Sequence, residues 1–170
     1  SWGGGNYSRA LHDALAHTYA HNTMFFAAAG NSAGNNDSAP LYPASYDVPN
    51  VVAVAATSYS SVSHIESLAS FSNFGSRTVH IGAPGVGILS TYTGNQFSNL
   101  SGTSMATPMM AGIAALMLRE RPEVNAYQMK SILMGATDAV NALSSKTSTG
   151  GRINVLKAIQ NVKASASDSY

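Results

Sequence analysis

The sequence predicts an α/β domain in which a mostly parallel sheet carries helices on both faces. Short apolar runs alternate with segments of helical periodicity along the chain, which is the order expected of parallel strands joined by helices. The apolar runs contain few polar residues, as in strands buried on both sides. Charged residues make up only 10% of the chain, against about 25% in typical domains, and small residues take their place. No repeat or linker divides the 170 residues, so one domain is expected.

The first third of the chain predicts a helix followed by two buried strands. Ser8 can cap a helix over residues 9–22, because serine accepts hydrogen bonds from the free amides of a first turn. Residues 24–29 form a short apolar run and residues 51–57 alternate valine and alanine, so both predict buried strands. The polar residues 31–47 between them are expected to form a loop.

The middle third predicts loops and short strands. Residues 58–76 are polar and are expected to be a loop. Residues 79–83 and 87–92 predict two strands separated by a Pro-Gly pair, and a turn then leads into residues 96–100.

Helices dominate the last third. The strongest helical pattern covers residues 104–120, and two further helices are predicted over residues 126–134 and 155–162. Each of the last two follows an asparagine that can cap it. The domain is expected to span residues 1–163, with a flexible tail over residues 164–170.

Composition excludes several classes of protein. The chain has 9 Lys and Arg against 8 Asp and Glu, scattered singly, so no basic surface is expected for nucleic acid or for an anionic membrane. The longest apolar stretch, residues 106–118, is interrupted by polar residues and glycine and is shorter than the roughly 20 residues that span a bilayer. The absence of cysteine excludes disulfide and thiolate chemistry. We expect no nucleic-acid partner and no membrane span.

Ser104 lies between a glycine-containing turn and the strongest predicted helix. A helix N-terminus carries about half a positive charge in unpaired amides, which favours a developing oxyanion nearby. Gly102 allows an unusual turn, and Pro108 lacks the N–H that would pair with a carbonyl of the first helical turn. From this pattern alone, Ser104 is either the nucleophile of an acyl-transfer site or the N-cap of the helix.

Seven short segments together indicate a family. They are SWGG at 1–4, AAAGN at 27–31, YPASY at 42–46, FSNFG at 71–75, APGVGILST at 83–91, GTSMATP at 102–108 and GRINV at 151–155. In this order they resemble the subtilisin-like serine proteases over essentially the whole chain, and the most specific are GTSMATP and AAAGN. The resemblance implies a subtilisin-like fold whose N-terminal part is missing from this sequence.

The resemblance implies catalytic roles for two residues. Ser104 matches the serine that attacks a peptide carbonyl and forms an acyl-enzyme. Asn31 matches the asparagine whose side-chain amide donates to the oxyanion, with the backbone N–H of Ser104 as the second donor. From its position alone, Asn31 could instead be an amide that caps a helix or a turn.

The resemblance also implies a substrate-binding wall. Its residues are Ser1, Trp2, Gly3, Gly4, Ala28, Ala29 and Gly30. The first four would pair with the substrate backbone as an added strand, since glycine lets a second backbone approach closely; the alternative is an ordinary glycine-rich turn. The other three would line the pocket for the residue before the scissile bond. Trp2 and Leu41 differ from what many members of the family carry, and we expect them to shorten this pocket.

The catalytic Asp and His of the family precede the SWGG segment, in the order Asp, His, Ser. We therefore expect them in a missing N-terminal half of the catalytic domain, which is then a partner of this chain. The first residues lack a signal-peptide pattern, so we expect that Ser1 is not the natural beginning. Among the five histidines, His12, His17 and His21 are interpreted as surface residues on the polar side of the first helix, and His17 and His21 have metal-binding spacing but no third ligand. His64, in a polar loop, and His80, in a strand, have no neighbouring Asp at a spacing that suggests a triad.

The sequence thus predicts part of a serine endopeptidase that acts on polypeptides. The alternative is a catalytically inert, peptide-binding remnant of such a protease. A lipase-like site is excluded, because no histidine follows Ser104 as that fold requires. No cofactor is expected. Structural calcium is frequent in the family, and residues 35–37 are either one source of ligands or a solvated loop. By resemblance, the protein is expected to be secreted or extracytoplasmic.

Overall fold

The computed structural model describes residues 3–165. Ser1 and Trp2, two of the predicted substrate-binding residues, lie outside the described residues, as do residues 166–170 of the predicted tail. The α-helices are α1 (Arg9–Ala20), α2 (Thr103–Glu120), α3 (Ala126–Gly135) and α4 (Val155–Ala164), and Asn141–Leu143 forms a short 3₁₀ helix. The strands are β1 (Phe25–Ala28), β2 (Val51–Ser60), β3 (Ile65–Leu68), β4 (Ile81–Pro84), β5 (Ile88–Tyr92), β6 (Gln96–Leu100), β7 (Thr137–Ala139) and β8 (Gly151–Ile153).

The main sheet is mostly parallel, as predicted. Its strand order is β1-β2-β4-β8-β7, and β3 pairs with β2. Strands β1, β2, β4 and β8 run parallel, whereas β3 and β7 are antiparallel to their neighbours. Strands β5 and β6 form a separate antiparallel hairpin. The parallel strands bring their carboxyl ends to one edge of the sheet, where the loops after β1 and β4 meet the start of α2.

The sheet is covered by helices on both faces, which confirms the predicted fold class. Successive residues of β2 point to opposite sides. Val51 and Ala53 pack with Leu15 of α1, whereas Val52 and Val54 pack in the core built with α2, α3 and α4. All four β2 residues are completely buried, because strands of this type are enclosed on both faces.

The three predicted helix caps are present. The Ser8 hydroxyl accepts a hydrogen bond from the backbone of α1 at 3.3 Å. The side chains of Asn125 and Asn154 accept from α3 and α4 at 2.9 and 3.0 Å. Such caps satisfy amides that have no partner within the helix, and they fix where each helix begins.

The structure corrects several predicted boundaries. Strand β3 lies inside the segment predicted as a loop, and β7 and β8 were not predicted, because each has only three or four residues and no periodic pattern. The predicted flexible tail begins too early: Ala164 is the last residue of α4, and the Ser165 hydroxyl donates to Val162 O at 2.9 Å. Among the described residues, no helix has the length and apolar character needed to cross a bilayer.

One edge of the sheet and one side of α2 are open. Among the described strands, β1 pairs only with β2. A groove of about 390 Å³ beside it is lined mainly by apolar side chains, including Met24 and Phe26. Leu118 of α2 also lines this groove and is 41% exposed. A long helix packed on a sheet ordinarily buries such a residue, so this surface is unusually apolar.

His80 connects β2 and the start of β4 through its ring as well as its backbone. Its backbone N–H donates to Ala53 O at 2.9 Å, and its Nδ1 accepts from the Ala53 N–H at 3.0 Å. A protonated imidazole has no lone pair with which to accept that bond. Burial, with a smaller contribution from the charge of Lys130, lowers the pKa of His80 to about 4.

We expect this histidine to make the folded chain less stable in acid. Well above pH 6.5 the His80 ring is neutral in both the folded and the unfolded chain. As the pH falls from 6.5 towards 4, the unfolded chain gains a proton on this ring and the folded chain largely does not. The free energy of unfolding therefore decreases over that window. The loss amounts to about 3 kcal/mol in the free energy of unfolding. Urea unfolding at a series of pH values should show it in the wild-type chain and much less in His80→Gln, whose amide oxygen accepts without titrating. The control is the exposed His17→Gln, which should keep the pH dependence of the wild-type chain. An equal pH dependence of unfolding in the wild-type chain and in His80→Gln would contradict the assignment.

Candidate active site

Ser104 is the second residue of α2. Gly102 precedes the helix in an extended conformation and the helix has no side-chain cap, so the alternative that Ser104 is the N-cap is wrong. The backbone N–H of Ser104 belongs to the first turn, whose amides have no acceptor within the helix. Ser104 is half-buried, and among residues 3–165 its hydroxyl has no hydrogen-bond partner. Met105 and Ala106 donate to Gly102 O, so the start of α2 presents the Ser104 hydroxyl together with the Ser104 backbone N–H.

A side-chain hydrogen bond supports the first turn of α2, next to a proline inside the helix. Pro108 lies inside α2 and lacks the N–H that would pair with the carbonyl of Ser104. Beside it, the Thr107 hydroxyl donates to Thr103 O at 2.8 Å. This bond supports the first turn where the regular helical pattern is interrupted.

Asn31 lies against the start of α2. Its Oδ1 accepts from both the backbone N–H and the hydroxyl of Thr103, each at 2.9 Å. The Thr103 hydroxyl in turn accepts from the Gly30 N–H at 3.2 Å. These bonds fix the orientation of the Asn31 amide, and within residues 3–165 its Nδ2 has no hydrogen-bond partner. A methyl group built on Gly102 would lie 3.4 Å from that Nδ2, so the amide nitrogen is beside the turn that leads to Ser104.

Two buried asparagines hold the loop that carries Asn31. Asn73 Oδ1 accepts from the backbone N–H of Ser32 at 2.9 Å and of Gly34 at 3.0 Å. Asn73 Nδ2 donates to Asn36 Oδ1 at 3.0 Å, and Asn36 Nδ2 donates to Ala29 O at 2.9 Å. Asn36 and Asn73 are 0% and 4% exposed, and buried amides of this kind must be paired. The sequence did not predict this supporting role, although Asn36 lies in the segment considered for calcium and Asn73 in the FSNFG motif.

Gly3, Gly4 and Gly30 lie around the loop at residues 41–42. The Gly4 N–H donates to Tyr42 O at 2.9 Å. Gly30 has a φ of +114°, which favours glycine, and a methyl group built on it would come within 2.5 Å of Leu41 Cδ2. The same atom would lie 3.8 Å from a methyl group on Gly3. The Leu41 side chain therefore fills space between these two glycines.

Ala28 is the last residue of β1 and Ala29 follows it towards Asn31; both are buried. The Ala29 methyl group packs with Ala55 and Val79 in the core. The Ala29 N–H donates to Val54 O at 3.0 Å and its carbonyl accepts from Asn36 Nδ2 at 2.9 Å, so Ala29 supports the predicted wall from behind and presents neither side chain nor backbone to a substrate. Ala28 O lies 4.0 Å from the position of a methyl group on Gly3, which brings the two predicted wall segments together.

No histidine is hydrogen-bonded to Ser104 in the part of the chain that the structure describes. His12 contacts Asp13 at 3.2 Å, and His64 Nδ1 contacts the Tyr59 hydroxyl at 2.9 Å. His17 and His21 lie on the exposed side of α1, with ring centroids 4.2 Å apart. Within residues 3–165, no group of three or more His, Asp or Glu side chains could hold a metal ion.

Asp37, which lies in the loop considered as a source of calcium ligands, is occupied by protein donors. Its two oxygens accept from the Ser76 hydroxyl at 3.0 Å and from the Thr78 hydroxyl at 2.8 Å. The backbone N–H groups of Arg77 and Thr78 donate to it as well. Burial opposes ionisation, but the hydrogen bonds from Thr78 and Ser76 outweigh it and lower the pKa of Asp37. This carboxylate ties the Asn31 loop to the segment before β4, and we do not propose it as a calcium ligand.

Comparison with known sequences shows which proteins this chain is similar to. The model of the subtilase family, Peptidase_S8, matches residues 1–154. Subtilisin DY of Bacillus licheniformis is 40% identical over 161 residues, which are 94% of this chain and 55% of that protein. Thermitase of Thermoactinomyces vulgaris is 36% identical over 160 residues, which are 94% of this chain and 52% of that protein. The chain thus spans about half the length of these curated relatives.

Solved structures agree with the sequence comparisons. A structure from work on subtilase cytotoxin SubAB assembly is similar with a TM-score of 0.83 and 27% identity, over 95% of this chain and 56% of that one. Fervidolysin from Fervidobacterium pennivorans, a keratinolytic enzyme related to subtilisin, is similar with a TM-score of 0.79 and 30% identity, over 94% of this chain and 26% of that one. The arrangement of sheet and helices is therefore shared at low sequence identity, and the chain belongs to the subtilase family.

Proposed function

We propose that this chain supplies the nucleophile and the oxyanion-binding donors of a serine endopeptidase. The observation that carries the proposal is the pair of hydrogen bonds from Thr103 to Asn31 Oδ1, which leave Asn31 Nδ2 free beside the start of α2. Membership of the subtilase family supports the same reaction class, as do relatives named as proteinases, such as the thermophilic serine proteinase of Bacillus sp. strain AK1.

In this proposal, Ser104 Oγ attacks the carbonyl carbon of a peptide bond. The carbonyl oxygen becomes an oxyanion that accepts hydrogen bonds from Asn31 Nδ2 and from the Ser104 N–H, while the N-terminal end of α2 favours the negative charge. The Ser104 proton passes to a base, which returns it to the leaving amine; an acyl-enzyme remains and water then hydrolyses it. Leu41, between Gly3 and Gly30, would shorten the pocket for the side chain before the scissile bond.

The base is proposed to come from the rest of the domain, as the resemblance implies. The relatives are about twice as long as this chain, and the open edge of β1 with the apolar groove beside α2 offers a surface for further structure. By itself, the chain is then expected to bind peptides and to hydrolyse them poorly, because a serine hydroxyl without a base is a weak nucleophile. An extracytoplasmic location and bound calcium stay predictions.

A fluorogenic peptide assay tests the proposal. The chain alone should give almost no hydrolysis, and hydrolysis should appear when a polypeptide corresponding to the N-terminal half of the domain is added. The matched control is the N-terminal polypeptide alone, which lacks Ser104 and should be inactive. Rapid hydrolysis by this chain alone, or none by the combined halves once they form a folded complex, would contradict the assignment.

A further inference from the structure

A second cavity lies at the opposite end of the sheet from Ser104. It is lined by the residues that precede β2 and β4, including Asp47 and His80, and by Lys130 of α3. Strands β2 and β4 are parallel, so their amino ends are remote from the carboxyl ends, where α2 begins. The cavity has a volume of about 380 Å³, enough for a small ligand and its water. It does not depend on the proposed function.

His80 presents a fixed donor to this cavity. Its Nδ1 accepts the hydrogen bond from Ala53, so the proton of the neutral ring is on Nε2. Within residues 3–165, that N–H has no hydrogen-bond partner. The ring is half-buried and cannot rotate without breaking its bond to β2.

Two cationic side chains add further donors. Lys130 Nζ donates one hydrogen bond, to Val51 O at 2.7 Å, and an ammonium group has three protons to donate. The Arg77 guanidinium has five N–H groups, and in the described part of the chain none of them has a partner; only the Arg77 backbone N–H is used, by Asp37. Burial lowers the pKa of Lys130, partly offset by Asp47, which indicates that its charge is poorly compensated.

Acceptors are scarce in the same cavity. The Thr78 hydroxyl is used by Asp37, and the Ser45 hydroxyl accepts from the Leu41 N–H. Asp47 is the one carboxylate among the residues that line it; it is exposed, and no ion pair joins it to Lys130 or Arg77 within the described residues. The cavity therefore has more donors and positive charge than its own side chains satisfy.

We propose that this cavity binds a small oxyanion, a phosphate or a carboxylate, through Arg77, Lys130 and the Nε2–H of His80. A guanidinium donates to two oxygens of such a group at once, and an ammonium adds a point charge. The anion restores the charge balance that burial of Lys130 disturbs. Asp47 at the rim disfavours large, highly charged anions, so the site selects small ones.

Titration of the chain with inorganic phosphate, and separately with acetate, tests this inference at pH 7 and constant ionic strength. NMR signals of the Arg77 guanidinium and the His80 ring should shift and saturate in the millimolar range. Saturation with phosphate alone identifies a tetrahedral oxyanion, and saturation with acetate identifies a carboxylate site. Linear shifts without saturation for both anions would overturn the inference.

Matched variants identify the residues. Arg77→Gln should weaken binding about tenfold through loss of a charge-assisted pair, whereas Arg119→Gln, which removes the same charge from the exposed side of α2, should not. Lys130→Met should likewise weaken anion binding, whereas Lys163→Met, which removes the same charge from α4, should not. Because Arg77 is exposed and its side chain is unbonded, Arg77→Gln should fold even if Lys130→Met does not. Equal affinities in Arg77→Gln and Arg119→Gln would overturn the assignment.

Discussion

Replacing Ser104 with alanine is expected to lower peptide turnover by the complete domain about 10⁶-fold, which is the scale of nucleophile deletion in a bacterial subtilisin. The physical reason is that no acyl-enzyme forms without the hydroxyl. Alanine fits the helix at least as well as serine does, so the fold should be unchanged. The measurement is the turnover of a fluorogenic peptide at saturating concentration, with thermal unfolding as a check on folding.

The control for Ser104→Ala is Ser131→Ala, which removes an exposed hydroxyl from another helix. It should leave turnover unchanged. Ser104→Ala retaining more than about a thousandth of wild-type turnover would mean that another group is the nucleophile, because the oxyanion-binding donors alone do not sustain such a rate.

Replacing Asn31 with leucine is expected to lower turnover about 10²- to 10³-fold with little change in KM. This scale is that of an oxyanion-hole asparagine in a subtilisin. The side-chain amide meets full negative charge only in the transition state, so its loss affects turnover rather than substrate binding. Asn31 is exposed, but the Thr103 donors bonded to its oxygen are buried, so the variant should also lose about 1–3 kcal/mol in the free energy of unfolding, and turnover is compared where both proteins are folded.

Steady-state kinetics of the complete domain with a series of peptides separate the two parameters for Asn31→Leu. The exposed Asn161→Leu in α4 is the matched control and should behave as wild type. A variant of Asn31 with normal turnover and a raised KM would assign this residue to ground-state binding instead.

Local sequence patterns were sufficient for the elements that are long or capped. Helix α2 begins one residue from its predicted start, and β2 was identified by its run of valine and alanine, which only burial on both faces favours. Strands β3, β7 and β8 were missed because their three or four residues carry no periodic pattern. Strand β8 forms only where β4 and β7 flank it, and that pairing is a property of the tertiary structure.

In the candidate site too, local sequence patterns identified single residues but not the contacts between them. Ser104 and Asn31 could be singled out because each lies in a short motif that resembles a known family. The pairing of Asn31 with Thr103 joins residues 72 positions apart, and that of Asn73 with the Asn31 loop spans 39 to 41 positions. The bond of the His80 ring to Ala53 spans 27 positions. No local pattern encodes such contacts, so the residues that support the site had to be identified from the structure.

We propose that Asn31 and Ser104 act on the same substrate carbonyl. A crystal structure of the complete domain with a peptide boronic acid would show this, because the boron adduct resembles the tetrahedral intermediate. We predict a bond from boron to Ser104 Oγ, and a boron-bound oxygen within about 3 Å of both Asn31 Nδ2 and the Ser104 backbone nitrogen. A boron adduct on Ser104 whose oxygens point away from Asn31, or an adduct on a different residue, would contradict the account.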